Sequence, residues 1–333
     1  MRSTLIIPVS FAVLLSACGG QRQNEAKKEE PKKEEAKIVI PDFNADSAFL
    51  FVKQQVDFGP RVPNTPAHQK CSQFLYRKMK AYIPDVTIQS GQIRAYNGTL
   101  LDFKNIIGSV NPDASVRVML CSHWDSRPYA DHDPDPKNRR KPIDGANDGA
   151  SGVGTLLEVA RQLQAKAPSI GVDIILFDVE DYGPPQDERG DEDTEKWWGL
   201  GSQYWAANPH KPDYNARFGI LLDMTGASKA TFLMEAFSVQ YAPDVLKLVW
   251  DAGNRIGYSS FFIYERGPYI TDDHLPINKI RNIPTIDIVH LDASTSSGFY
   301  PYWHTTGDNL SRIDPYTLKA VGQTLLAVIY DQK

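Results

Sequence analysis

The chain has 333 residues, of which 41% are hydrophobic and 23% charged, and it carries a net charge of -5 at pH 7. This is globular composition, with length for one large or two small domains. There is no basic excess, so nothing in the composition points to a nucleic-acid partner.

The first 18 residues read as an export signal: Arg2 precedes the apolar run LIIPVSFAVLL, which is too short to span a bilayer as a mature helix. The run ends in LSAC, which matches the bacterial lipoprotein box, with Cys18 as the lipidated residue; an ordinary signal peptide or an uncleaved anchor is the alternative. Gly19 follows in place of the Asp that retains lipoproteins at the inner membrane. The expected location is the bacterial cell envelope, lipid-anchored at Cys18, facing the periplasm and at the outer membrane. Residues 19–40 are expected to form a solvated tether, because 19–37 has six basic and five acidic side chains and no aromatic or branched aliphatic residue. Residues 41–333 are expected to form a single domain. With Cys18 lipidated, Cys71 and Cys121 remain, as a disulfide or as two buried thiols.

Beyond the tether, helical spacing predicts helices over 45–57 and 66–82, the second burying Leu75 and Met79. Residues 86–96 alternate as a strand or hairpin, and 105–110 and 115–123 are short apolar strands. An amphipathic helix follows over 149–164, then a continuous apolar strand over 172–178. Residues 182–196, rich in Pro and acids, form a long loop, either solvated or a lid. Strands over 217–225, 230–237 and 283–289 and helices over 242–256 and 314–330 complete the pattern. Apolar strands alternating with helices predict an α/β fold: a mostly parallel mixed central sheet flanked by helices on both faces.

Ionisable residues follow the strands directly. His123 and Asp125 end one, Glu180 and Asp181 another, and Asp223 a third; Asp148 precedes a helix and His304 sits in a loop. Each alone has a plain explanation, such as a helix cap for Asp148. Together they converge on one rim, because ligands bind at the carboxyl ends of strands in such sheets. Clustered carboxylates raise one another's pKa unless a cation offsets them. Mixed His and Asp/Glu donors without a cysteine cluster favour Zn²⁺ at an open site.

The ordered fragments HWD, GANDGASG, FDVED, GLGS, LLDM and HTTGDN resemble the zinc-dependent aminopeptidase family across roughly residues 100–310. The resemblance implies metal ligands among His123, Asp148, Asp181, Asp223 and His304, with Glu180 as catalytic base. Within that family, TDDH at 271–274, Trp303 directly before His304, and LLDMTGA resemble the animal-type glutaminyl cyclases. That narrower resemblance implies one zinc on Asp148, Asp181 and His304. It also implies that Asp223 hydrogen-bonds to Asp272 instead of binding metal, and that Trp303 with Trp197 or Trp198 walls the pocket. The implied partners are peptide or protein N-termini bearing Gln. The alternatives are an aminopeptidase with a second zinc on His123 and Asp223, and an inactive surface binding lipoprotein. One departure stands out: Asp181 occupies a position where the family has Glu.

Overall fold

The computed structural model describes residues 10, 12, 39–189 and 195–332. Cys18 and nearly all of the 1–40 segment lie outside the described residues. Met1–Lys37 and Ile38–Lys333 separate as two units, and the second holds the sheet and its helices.

The chain order is α1 (Ala45–Val56), α2 (Pro66–Tyr82), β1 (Asp85–Arg94), β2 (Leu100–Val110), β3 (Arg117–His123), α3 (Ala150–Ala165) and β4 (Gly171–Phe177). Then come α4 (Leu200–Ala207), β5 (Gly219–Asp223), β6 (Phe232–Met234), α5 (Ala236–Tyr241), α6 (Pro243–Arg255), β7 (Phe262–Arg266), the single turn α7 (His274–Pro276), β8 (Thr285–Val289) and α8 (Pro315–Asp331). Six strands form one mixed sheet in the order β1-β2-β4-β3-β5-β8. β1–β2 and β2–β4 are antiparallel, while β4–β3, β3–β5 and β5–β8 are parallel.

Strand parity explains the layers. Leu120, Ile174, Leu176, Ile220 and Leu222 face the larger core beneath α1, α2, α3, α6 and α8. Met119, Cys121, Ile175, Phe177 and Leu221 face the opposite side and pack on Trp205 and Ala206 of α4. Both faces are therefore covered, and β4 is buried along its whole length. Its one charged residue, Asp173, is held by Arg117 at 2.7 and 2.9 Å, Ser109 Oγ at 2.6 Å and the Tyr214 hydroxyl at 2.9 Å. A buried charge is tolerable when it is so fully paired.

Cys71 and Cys121 are free and buried, and they belong to the cores on opposite faces of the sheet, so the disulfide alternative is excluded. The strand expected over 230–237 stops at Met234, because Glu235 caps α5 by accepting the N–H groups of Phe237 and Ser238. The strand expected from 105 begins at Leu100 and pairs with β1 as a hairpin. Helix α4 escapes the apolar pattern because its first turn contains Gly201. A Cβ there would lie 2.0 Å from the Asp178 carbonyl oxygen, so close packing against the end of β4 demands glycine. Among the described residues no helix is long and apolar enough to cross a membrane.

Candidate functional site

Parallel pairing brings the carboxyl ends of β3, β4 and β5 to one edge, where the turn before α3 and the loop holding His304 meet them. Three of these turns carry a non-glycine residue in the left-handed region: Val179 (φ 56°), Met224 (φ 50°) and His304 (φ 53°). That conformation is strained for a residue with a Cβ, so surrounding contacts must enforce it. Asp125 supplies one such contact: Oδ1 accepts the Glu180 N–H at 3.1 Å and Oδ2 the Asp181 N–H at 3.2 Å. Asp308 does the same for the other turn, accepting the N–H groups of Asn147 at 2.9 Å and Asp148 at 3.0 Å.

Asp148, Asp181 and His304 each offer one ligand atom within 4.8 Å of the others. His304 Nε2 lies 3.1 Å from Asp181 Oδ1 and 3.6 Å from Asp148 Oδ2. His123, Asp148 and Asp223 form a second such group, with His123 Nε2 at 3.1 Å from Asp148 Oδ1 and 3.4 Å from Asp223 Oδ1. A third group joins Asp131, His132 and His304. Asp148 thus sits between two cation-sized clusters. Asp148 Oδ2, Asp181 Oδ2 and Asp223 Oδ1 are buried with no hydrogen-bond partner among the described residues. Two carboxylates with unspent lone pairs beside an imidazole nitrogen in a buried cleft fit a zinc ion.

The electrostatics agree. Burial opposes a charge on His123, but Asp125, Asp148 and Asp223 outweigh it and hold its pKa well above the usual imidazole value. Burial pushes Glu180 well above the carboxylate range, and Asp181 and Asp272 add to the rise against the pull of His123. Burial likewise raises Asp223 to about 6 and, with repulsion from Asp223, Asp272 to about 7. Burial raises Asp148 too, but His123 and His304 outweigh it and leave its carboxyl below the ordinary value. A divalent cation relieves such crowding of acids.

The expected hydrogen bond between Asp223 and Asp272 is not present among the described residues. Asp223 is drawn toward His123 instead, and Asp272 Oδ1 accepts the Asp273 N–H at 2.5 Å. The two acids nevertheless line one cavity of about 360 Å³ with Glu180, Trp198, Trp303 and His304. Of the two adjacent tryptophans, Trp198 lines this cavity and Trp197 does not. Trp303 stacks on the His304 ring at 3.8 Å between centroids, and Trp198 lies nearly parallel to that ring at 6.2 Å. Gly183 makes room for Trp198, since a Cβ there would stand 2.4 Å from the indole. The described part of the 182–196 loop is therefore mixed. Gly183–Pro185 is buried beside the site, while Gln186–Glu188 is exposed and pairs with Arg140.

Sequence reasoning gave no role to Arg127 or Asp131. Arg127 is wholly buried beside Asp181, and Asp131 Oδ1 faces His304 Nδ1 at 3.5 Å. Nothing in SHWDSRPYAD marks them, because their spacing signals a pair only on a helix and this segment is a loop.

Residues 105–329 match peptidase family M28. The structure is similar to that of Bacteroides thetaiotaomicron glutaminyl cyclase bound to N-acetylhistamine, with TM-score 0.87 and 55% identity, covering 89% of this chain and 100% of that one. It is also similar to a Zn-dependent exopeptidase from Parabacteroides distasonis, with TM-score 0.86 and 52% identity over 88% of this chain and 100% of the other. Bovine glutaminyl-peptide cyclotransferase is 28% identical over 265 residues, 69% of this chain and 66% of the bovine enzyme's length.

Proposed function

The chain belongs to peptidase family M28, and from that premise we propose that it is a zinc-dependent glutaminyl-peptide cyclotransferase, converting N-terminal Gln to pyroglutamate with release of ammonia. The observation that carries this reading is the meeting of Asp148, Asp181 and His304 in a cavity that Glu180 also lines and that Trp198 and Trp303 wall. The high identity to a glutaminyl cyclase supports it.

Asp148, Asp181 and His304 would hold one zinc, which would supply Lewis-acid polarisation of the γ-amide carbonyl. Glu180 takes a proton from the substrate's α-amine. The α-nitrogen attacks the γ-amide carbon of the same residue, so proximity supplies much of the rate. As the new C–N bond closes the ring, the old one breaks; Glu180 returns the proton to the departing nitrogen, which leaves as ammonia. Asp272 and Asp223 line the same cavity, where their carboxylates can accept hydrogen bonds from the departing amide nitrogen. Trp198 and Trp303 exclude water around the glutaminyl side chain.

A second reading rests on the His123–Asp148–Asp223 cluster, which would hold a second zinc and so suit aminopeptidase chemistry. One assay separates the two. Purified protein is incubated with Gln-Xaa and Leu-Xaa dipeptides. Ammonia and a pyroglutamyl product from the first, sensitive to chelator, support the cyclase. Free amino acid from both, without ammonia, defeats it.

We further propose that the protein is anchored in the bacterial envelope through a lipid on Cys18, supported by the LSAC box and the charged segment after it. Labelled palmitate incorporated into the wild type and lost in Cys18→Ala is the test.

A further inference from the structure

Arg127 makes an unusual set of contacts for a side chain with no exposed surface. Nε donates to Asp131 Oδ1 at 2.7 Å and Nη2 to Asp131 Oδ2 at 2.8 Å, a two-pronged fork. Nη1 donates to the Asp181 carbonyl oxygen at 3.1 Å and approaches Asp181 Oδ1 at 3.5 Å. Nη1 and Nη2 also reach the carbonyl oxygens of Gly183 at 3.4 Å and Pro184 at 3.3 Å. The guanidinium carbon stands 4.9 Å from the centre of the Trp198 ring. Asp131, so fixed, also accepts the Gln186 N–H at 2.9 Å and presents Oδ1 to His304 Nδ1 at 3.5 Å.

These contacts join three parts that the chemistry needs in register. Asp181 and His304 are two of the three proposed ligands, and Trp198 is a wall of the substrate cavity. The Asp131 carboxylate stands 3.5 Å from the far nitrogen of His304, a charge contact and not a hydrogen bond, and its negative charge there raises the basicity of the ring. Asp181 has a short side chain, so its reach depends on where its backbone is held. Arg127 holds that backbone oxygen directly. The planar guanidinium spreads its five N–H donors over these oxygens at fixed angles, which an ammonium cannot do.

We propose that Arg127, acting through Asp131, is a positioning residue that sets Asp181 and His304 for zinc and Trp198 for substrate at the same time. The proposal rests on the zinc reading of the site. Its distinctive consequence is that one substitution weakens metal binding and substrate binding together.

The test uses full-length protein and the variants Arg127→Lys and Asp131→Asn. Three quantities are measured: zinc Kd by competition with a chromophoric chelator, the visible spectrum of the Co²⁺-substituted protein, and kcat and KM for ammonia release from Gln-Ala amide. Lysine keeps the charge and loses the fork. Arg127→Lys is therefore expected to weaken zinc roughly 10–100-fold, to shift the Co²⁺ bands and to raise KM severalfold. Asp131→Asn, which leaves Arg127 in place, is expected to weaken zinc about 10-fold and shift the Co²⁺ bands with a smaller change in KM. Should Arg127→Lys not fold, the Asp131→Asn result decides. Wild-type zinc affinity and an unshifted Co²⁺ spectrum in either folded variant overturn the proposal, even if its Tm falls. A wild type that binds no zinc overturns the reading of the site instead, so the two failures are distinguishable.

Discussion

The carboxylate of Asp125 accepts the backbone N–H of Glu180 at 3.1 Å, and its second oxygen takes the N–H of the next residue, Asp181, at 3.2 Å. One buried side chain therefore fixes the turn carrying both the proposed base and a proposed ligand. Asn at 125 offers one acceptor oxygen in place of two and sets an NH₂ against an N–H. Asp125→Asn is expected to lower zinc affinity about 10–100-fold, read by chelator competition, with kcat falling in parallel.

Glu180→Gln keeps the side-chain shape and removes the proton acceptor. Ammonia release is expected to drop by about 10²–10⁴, with zinc content unchanged by elemental analysis. Activity within a few-fold of wild type would assign the proton transfer to another group.

The two neighbouring tryptophans should separate cleanly. Trp198 lines the cavity, whereas Trp197 lies under the Lys196 ammonium at 5.3 Å. Trp198→Ala is expected to raise KM about 10-fold or more, as loss of a large apolar contact does. Trp197→Ala should leave KM within twofold. Equal effects from both would show that the wall is misassigned.

Zinc should stabilise the fold more as pH rises. In the metal-free chain Asp223 and Asp272 titrate at about 6 and 7, above the unfolded value of 3.8. The folded state then binds more protons than the unfolded state between about pH 4 and 7, so its stability falls as pH rises through that window. The zinc-loaded protein escapes this loss. The Tm gap between zinc-loaded and chelator-treated protein is expected to widen from pH 5 to 7.5. Free zinc 1,000-fold above Kd contributes about 4 kcal/mol, or roughly 10 °C. A gap that narrows with rising pH refutes the assignment.

His290 gives the opposite slope. It is buried at the end of β8 against Tyr300, ring centroids 5.5 Å apart. Burial depresses its pKa from 6.5 to about 4. The folded state keeps it neutral while the unfolded state takes a proton below about 6.5, so stability is lost as pH falls toward 4. The loss reaches about 3 kcal/mol at most. His290→Phe is expected to flatten the decline in Tm between pH 7 and 4.5 relative to wild type; an unchanged slope would clear His290 of any part in it.

Much of the fold was legible because burial imposes a period. Continuous apolar runs such as 172–178 belong to strands covered on both faces, and β4 runs from Gly171 to Phe177 as that reasoning requires. The chain also announced its chemistry locally, since every candidate ligand except His304 lies at a strand end or just before a helix. Helix α4 and β7 were illegible, the first because Gly201 serves a packing contact and not a helical preference, the second because Phe262–Arg266 is short and largely exposed.

The sequence by itself determined which residue types arrive at the rim: acids and imidazoles after apolar strands, with no thiol group to compete. Only the tertiary structure decided their partners. It chose Trp198 over Trp197, turned Asp223 toward His123, kept Cys71 and Cys121 on opposite faces, and brought Arg127 against Asp181 across 54 residues. The reason is physical. Periodicity records which side of an element is dry, a local property, whereas a hydrogen bond or a ligand set depends on distances between segments that meet only once the sheet has closed over its helices.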